Sequence, residues 1–164
     1  RSPEQVRGLI LSSTLHRSNS KTGSVVQYWL DLITRQKWAE LTWSSIKLTF
    51  RPRTVRRYGL FRPLLSWLSP PPRDPTRIRH VLQELLDFDN RPLLPAIACP
   101  TLVTGGTEDQ IVPAEIQTEM AGLIPNSQLE LYDGYGHAND QENPAYERDV
   151  FAFSQICFTD SPAD

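Results

Sequence analysis

Three short apolar runs stand out along the chain and divide it into segments. Each run is rich in aliphatic side chains and is bounded by glycine, proline or polar residues. Runs of this length favour buried β-strands over helices, which usually need about ten residues or more. The predicted strands cover residues 6–11, 100–105 and 127–132.

The segments between and after these runs have apolar residues at helical spacing. Apolar side chains recur there every three or four residues, which predicts amphipathic helices. Asp74-Pro75 is typical of an N-cap followed by proline in the first helical turn, and Pro113 and Pro144 mark two further helix starts. The predicted helices cover two segments within 23–50 and the ranges 76–89, 113–124 and 143–158.

This alternation of strands and helices predicts the α/β fold class. Strands joined through helices run parallel, with right-handed crossovers in nearly all known cases. The stretch between the first and second predicted strands is far longer than a single crossover needs. We therefore expect parallel strands flanked by helices, with an α-helical insertion over one end of the sheet.

Composition narrows the possible functions. The chain has 164 residues, of which 39% are hydrophobic and 22% charged, as in an ordinary globular domain. No apolar run approaches the roughly 20 residues of a membrane span, and no signal peptide is recognisable. Cys99 and Cys157 form neither a metal-binding pattern nor a disulfide framework, so we expect no metal and no cofactor. A reduced, cytoplasmic setting is the default expectation, and Arg1 in place of Met predicts that sequence is missing upstream.

Charge is distributed unevenly along the chain. Residues 1–92 carry 16 Lys and Arg against 7 Asp and Glu, whereas residues 93–164 carry 1 against 12. Such an imbalance can mark an anion or nucleic-acid site, but attraction between two faces of one domain is the simpler interpretation. No nucleic-acid-binding motif is present, so we predict no nucleic-acid partner. The arginines of 51–62 could serve an anionic substrate group or an acidic membrane surface, although a solvated face is the favoured interpretation.

Candidate chemistry lies directly after the second and third predicted strands. Asp109 follows the strand at 100–105, and His137 follows the strand at 127–132. Because the carboxyl ends of parallel strands meet at one edge of a sheet, we expect these two side chains to lie close together. A carboxylate beside a histidine fixes the imidazole tautomer, and a histidine so oriented can activate a hydroxyl nucleophile.

The segments around these two residues resemble motifs of the α/β-hydrolase superfamily. The acid segment is "PTLVTGGTEDQIVP" at 100–113, and the histidine segment is "GHANDQENP" at 136–144. The resemblance implies that Asp109 and His137 are the acid and the base of a catalytic triad, in the chain order of that superfamily. It covers nearly all of the chain, but only the C-terminal half of the superfamily's fold.

The resemblance also implies a division of the chain. Residues 1–20 and 93–158 would form the C-terminal half of the hydrolase core, with 4–11 holding its sixth strand. Residues 21–92 would form a helical cap, or lid, over the active site. Residues 159–164 are expected to be a flexible tail.

The chain departs from the superfamily pattern at the nucleophile. None of its glycines belongs to the G-x-S-x-G motif that carries the attacking serine. We therefore predict that residues 1–164 alone are inactive and that they belong to a larger esterase-like or thioesterase-like enzyme. Other chemistries of the superfamily stay open. The alternative is a non-catalytic binding or assembly module with a truncated hydrolase fold, or a proteolytic fragment.

The missing half also predicts partners. An apolar strand with one unpaired edge invites association, so we expect the strand at 6–11 to pair with a separate N-terminal half chain or with a second copy. The substrate would be a small acyl compound. Weaker candidates for substrate contact are His16, in the loop after the first strand, and Trp29 and Trp67 in the cap.

Overall fold

The sheet consists of three parallel strands in the order β1-β2-β3. The computed structural model describes residues 3–67 and 70–159. In the register of the sheet, Leu9 pairs with Thr101, and Thr101 pairs with Ser127. The strands are β1 (Leu9–Ser12), β2 (Thr101–Gly106) and β3 (Ser127–Tyr132).

Helices flank the sheet and fill the long segment between β1 and β2. The described part of that segment holds five α-helices, here called the helical insertion: α1 (Ser20–Thr34), α2 (Trp38–Thr49), α3 (Pro52–Gly59), α4 (Arg62–Trp67) and α5 (Pro75–Glu84). The remaining helices are α6 (Ala114–Leu123), α7 (Asn139–Glu142) and α8 (Pro144–Thr159), with short 3-10 helices at Pro3–Gln5 and Arg91–Ala96.

The core lies between β2 and α6. All six residues of β2 are buried, as expected of a central strand. Val103 packs with Leu94 and with Met120 and Ile124 of α6. Burial of each such side chain contributes about 1.5–3 kcal/mol to stability, so this cluster fixes the sheet edge from which the candidate residues emerge.

The two ends of the helical insertion are joined by a short antiparallel pairing. The Ser18 amide donates to the Phe88 carbonyl at 2.7 Å, and the Asn90 amide donates to the His16 carbonyl at 2.7 Å. Residues 16–18 and 88–90 therefore form a neck that connects the insertion to the sheet. This pairing explains why the helix predicted over 76–89 already ends at Glu84, because its last residues are extended in the neck.

Other elements also differ from those expected. The first strand is shifted from 6–11 to Leu9–Ser12, because a turn links the Val6 amide to the Pro3 carbonyl. The helices α3, α4 and α7 were not predicted. Of the expected tail, Thr159 ends α8 and residues 160–164 lie outside the described residues. Within the described ranges, no helix is long and apolar enough to cross a membrane.

Candidate active site

Asp109 is held in a fixed orientation by the backbone that follows it. The carboxylate is buried, and its Oδ1 accepts hydrogen bonds from the amides of Ile111 at 2.8 Å and Val112 at 2.9 Å. A buried carboxylate needs such partners, because burial without them is costly. The two bonds use one oxygen and leave Oδ2 for another group.

His137 is that other group. Its Nδ1 lies 2.9 Å from Asp109 Oδ2, and its side chain is 28% exposed while that of Asp109 is fully buried. Because the carboxylate can only accept, Nδ1 carries the proton and Nε2 is the nitrogen that can take a proton from a nucleophile. The structure thus brings together the two residues that the sequence predicted to meet.

A close backbone contact joins the two loops that carry this pair. A Cβ placed on Gly106 would lie 2.1 Å from the Tyr135 carbonyl oxygen, so only glycine fits there. The Glu108 amide donates to that same carbonyl at 2.9 Å, and the Thr107 amide donates to the Tyr132 carbonyl at 3.0 Å. The loop after β2 and the loop after β3 therefore form one rigid support.

The helical insertion supports the His137 loop from the other side. The Ala138 amide donates to the Thr49 carbonyl at the end of α2, at 2.9 Å. Glu142 accepts from the Arg51 amide at 2.9 Å and from the Thr54 hydroxyl. The Glu142 carboxylate thus accepts hydrogen bonds at the start of α3, where amide groups lack partners within the helix.

A buried asparagine links His137 to the end of β1. Asn139 is fully buried, and its Nδ2 donates to Ser13 Oγ at 2.5 Å. Ser13 has a positive φ of 42°, which is uncommon for a residue other than glycine and marks a sharp turn at the strand end. This contact was not predicted from the sequence. An asparagine two residues after the candidate base was the only sequence signal for it.

A cavity of about 580 Å³ lies between α1, α2, α3 and the loop of Asp109. Gln110, the neighbour of Asp109 in sequence, forms part of its wall. Most of its other lining residues are apolar or aromatic, among them Val25, Tyr28, Leu48, Phe50 and Val55. Such a cavity suits an organic group of moderate size.

The three weaker candidates do not line this cavity. Trp29 donates from Nε1 to Ser44 Oγ at 3.0 Å and faces a separate cleft between α1, α2 and α5. Trp67 is 80% exposed at the end of α4. His16, expected in an open loop, is buried beside Glu119 of α6. The structure does not bring any of them to the Asp109–His137 pair.

His16 lies in a charged cluster at the neck. Its Nε2 is 3.6 Å from Glu119 Oε1, and Arg17 forms a two-pronged ion pair with the same carboxylate. Burial is the main cause that lowers the pKa of His16, and the positive charges of Arg17 and Arg91 lower it further. The negative charge of Glu119 opposes these effects without cancelling them.

The lowered pKa of His16 predicts acid sensitivity of the fold. Above the ordinary pKa of about 6.5 the residue is neutral in both states, so the folded state carries no penalty. Below that pH His16 binds a proton in the unfolded chain but stays neutral in the folded chain. The free energy of unfolding therefore falls, by at most about 1.4 kcal/mol per pH unit, until the pH drops below the pKa of His16 in the folded chain. Urea unfolding at pH 7.5 and 5.5 measures this loss, which His16→Gln should reduce.

The exposed His80 supplies the control, because it lies on α5 away from this cluster. His80→Gln should leave the loss of stability between the two pH values unchanged. An equal loss in His16→Gln and in the unmodified chain would assign the acid sensitivity to other groups.

No group of three or more His, Cys, Asp or Glu side chains within the described residues could hold a metal ion. A family model described as "alpha/beta hydrolase fold" matches residues 1–144. The chain belongs to the α/β-hydrolase family. This confirms the resemblance and the fold class predicted from the sequence.

Solved structures of α/β hydrolases share this fold. The enol-lactonase from Burkholderia xenovorans LB400 superimposes with a TM-score of 0.78 at 19% identity, over 94% of this chain and 58% of that chain. The α/β-hydrolase enzyme MGS-M2, from a Medee basin deep-sea metagenome library, superimposes with a TM-score of 0.76 at 18% identity, over 100% of this chain and 60% of that chain.

Curated relatives are more similar in sequence over shorter stretches. A protein of Caulobacter sp. (strain K31) that carries the provisional name carbamate hydrolase is 35% identical over 63 residues. These residues make up 38% of this chain and 24% of that protein. The chain thus spans about a quarter of this relative and about three fifths of the two structural neighbours.

Proposed function

We propose that this chain is the C-terminal part of an α/β-fold hydrolase that cleaves esters, thioesters or similar acyl compounds. The observation that carries the proposal is the 2.9 Å contact between His137 Nδ1 and Asp109 Oδ2, with the carboxylate fixed by two backbone amides. This is the geometry of a general base held in one tautomer by an acid. The hydrolase names of the relatives agree with it.

In the proposed reaction the nucleophile is a serine outside this chain. His137 Nε2 takes the serine proton as the serine oxygen attacks the acyl carbonyl, and returns that proton to the leaving group as the acyl–serine ester forms. Water then attacks the ester and loses a proton to His137 Nε2, which passes it to the departing serine oxygen as the acid product is released. Asp109 stays ionised and stabilises the protonated imidazole at each step.

The helical insertion is proposed to be the cap over the active site. Its contacts from Thr49, Arg51 and Thr54 to the segment after His137 hold it over the sheet edge where the pair lies. The cavity of about 580 Å³ between its first three helices, with Gln110 in its wall, is proposed to receive the acyl group. Its apolar lining favours a substrate with an aliphatic or aromatic acyl chain.

The open edge of β1 is proposed to pair with the part of the enzyme that carries the serine. Among the described residues, β1 pairs only with β2, and Ile10 in its middle is 37% exposed. A cleft between β1 and α8 continues this edge and is lined by Gly8, Phe153 and Phe158, among other residues. A parallel strand with a following helix would cover both the edge and the cleft.

Labelling with a fluorophosphonate probe followed by intact-mass analysis tests the proposed function. The 18.7 kDa chain alone should gain no adduct, because its sequence contains no G-x-S-x-G motif to supply the nucleophile. Material purified under native conditions should contain a second polypeptide that carries the probe. An adduct on the isolated chain would contradict the assignment of the nucleophile to another polypeptide. A chain that purifies alone, without any labelled partner, would favour the alternative of a non-catalytic module or fragment.

A further inference from the structure

The helices α3 and α4 form a segment with two unlike faces. On the inner face the Thr54 hydroxyl bonds to Glu142, the Tyr58 ring lies 5.6 Å from that of Phe50, and the Arg62 guanidinium lies 5.4 Å from the ring of Trp43. The backbone of Leu60, directly after α3, is still in the right-handed helical region, and α4 begins two residues later at Arg62. The inner face thus carries three contacts to the rest of the chain.

The outer face combines arginines with large apolar side chains. Arg53, Arg56 and Arg57 are exposed on α3 at helical spacing. Four apolar residues follow these arginines, two adjacent ones in the turn after α3 and two in α4, and the residues of α4 come three or four positions after those before them. These four residues, Leu60, Phe61, Leu64 and Trp67, are between 50% and 80% exposed.

Neither the apolar side chains nor the uniform positive charge of this face is typical of a solvated helix. A solvated helix face is normally polar, whereas four neighbouring side chains of this size form an apolar patch. The sequence around it also carries one sign of charge. Residues 41–73 contain seven Lys and Arg and no Asp or Glu. The face therefore needs a partner that is negatively charged at its surface and apolar just beneath.

An anionic lipid bilayer has both properties at once. Its headgroups attract Lys and Arg, and amphipathic helices lie in its interface with their apolar side chains among the upper acyl chains. Tryptophan and the long stems of arginine suit this boundary, because each joins an apolar body to a polar end. A protein partner would need an apolar groove bordered by acidic side chains to match both properties.

We propose that the outer face of α3 and α4 binds the surface of anionic phospholipid membranes. The three arginines of α3 contact the headgroups, and the four apolar side chains enter the interface beside them. The helices lie along the membrane plane and do not span it. This inference goes beyond the hydrolase proposal and does not rest on it, since no catalytic residue takes part.

Co-sedimentation with lipid vesicles tests this proposal. The chain should bind vesicles of mixed phosphatidylcholine and phosphatidylserine, and high salt should weaken the binding. It should bind vesicles of pure phosphatidylcholine much less. Arg56→Gln combined with Arg57→Gln should weaken binding roughly 30-fold, because each arginine near such a surface contributes a factor of about five.

A matched pair of substitutions controls for the loss of charge. Arg35 and Arg148 are exposed and lie outside α3 and α4, so Arg35→Gln combined with Arg148→Gln should change binding less than about twofold. Trp67→Ser tests the apolar part, and it should weaken binding without lowering the thermal midpoint, because the side chain is 80% exposed. Equal weakening by both arginine pairs would reduce the effect to net charge and overturn the proposal.

Two further results would also overturn it. The first is equal binding to vesicles with and without phosphatidylserine. The second is a dimer in sedimentation equilibrium that Trp67→Ser dissociates, while the unmodified chain stays in solution in the presence of vesicles. In that case a second copy of the chain, and not lipid, covers the outer face.

Discussion

Replacing Asp109 by asparagine is expected to lower kcat of the complete enzyme by about 10⁴. The asparagine side chain can still accept from the amides of Ile111 and Val112 through its one oxygen, so the loop keeps its shape. Its amide group would then face His137 Nδ1 as a donor and favour the tautomer with the proton on Nε2. A histidine in that tautomer cannot take the serine proton. Steady-state hydrolysis of an aryl ester measures the loss, and His137→Ala should be at least as severe.

The neighbouring acid provides the control for this prediction. Glu108 is exposed and its carboxylate does not contact His137, so Glu108→Gln should retain nearly full activity. A larger loss from Glu108→Gln than from Asp109→Asn would show that the acid had been assigned to the wrong residue. Circular dichroism of both variants separates loss of activity from loss of fold.

The Asp109–His137 pair could be predicted because it depends on local rules. Parallel strands place their following loops at one sheet edge, and both loops carry glycines where their backbones approach closely. The helix starts at Asp74 and near Pro144 were predictable for the same reason, since caps and prolines act within a single turn.

The contacts that surround the pair could not be predicted, because they join residues far apart in sequence. Asn139 to Ser13 spans 126 residues, and Glu142 to Thr54 spans 88. The burial of His16 and the exposure of Trp67 likewise depend on which elements pack against them. A sequence pattern gives the face of a helix, but it does not show whether another element covers that face.

The uneven charge illustrates the same limit. The sequence predicted that the basic and acidic parts of the chain attract each other. The ion pair of Arg17 with Glu119 is an example of such attraction. The arginines of α3 have no part in that pair and lie exposed beside an apolar patch. A single net charge for residues 1–92 therefore combines cations that hold the fold together with cations that face solvent.

The second large effect is expected from Gly106→Ala. The added Cβ would lie 2.1 Å from the Tyr135 carbonyl oxygen and 2.5 Å from that of Gly136. Both atoms belong to the backbone, so the clash cannot be relieved by a side-chain rotation, and the His137 loop must move away from β2. Overpacking of this kind costs about 1–3 kcal/mol, and we expect the upper end of that range because the backbone itself is displaced. Urea unfolding measures the change.

Gly122→Ala is the matched control, because a Cβ at Gly122 meets no atom within 4 Å and the residue lies in α6. That substitution should raise stability by about 0.5–1 kcal/mol through the better helix propensity of alanine. The two variants add the same methyl group, so the difference between them isolates the contact at Gly106. If Gly106→Ala proved as stable as the unmodified chain, the close approach of the two loops would not be what holds His137 beside Asp109. If it unfolds more easily, the imidazole NMR signals of His137 should shift as well, because the same backbone movement separates Nδ1 from the carboxylate.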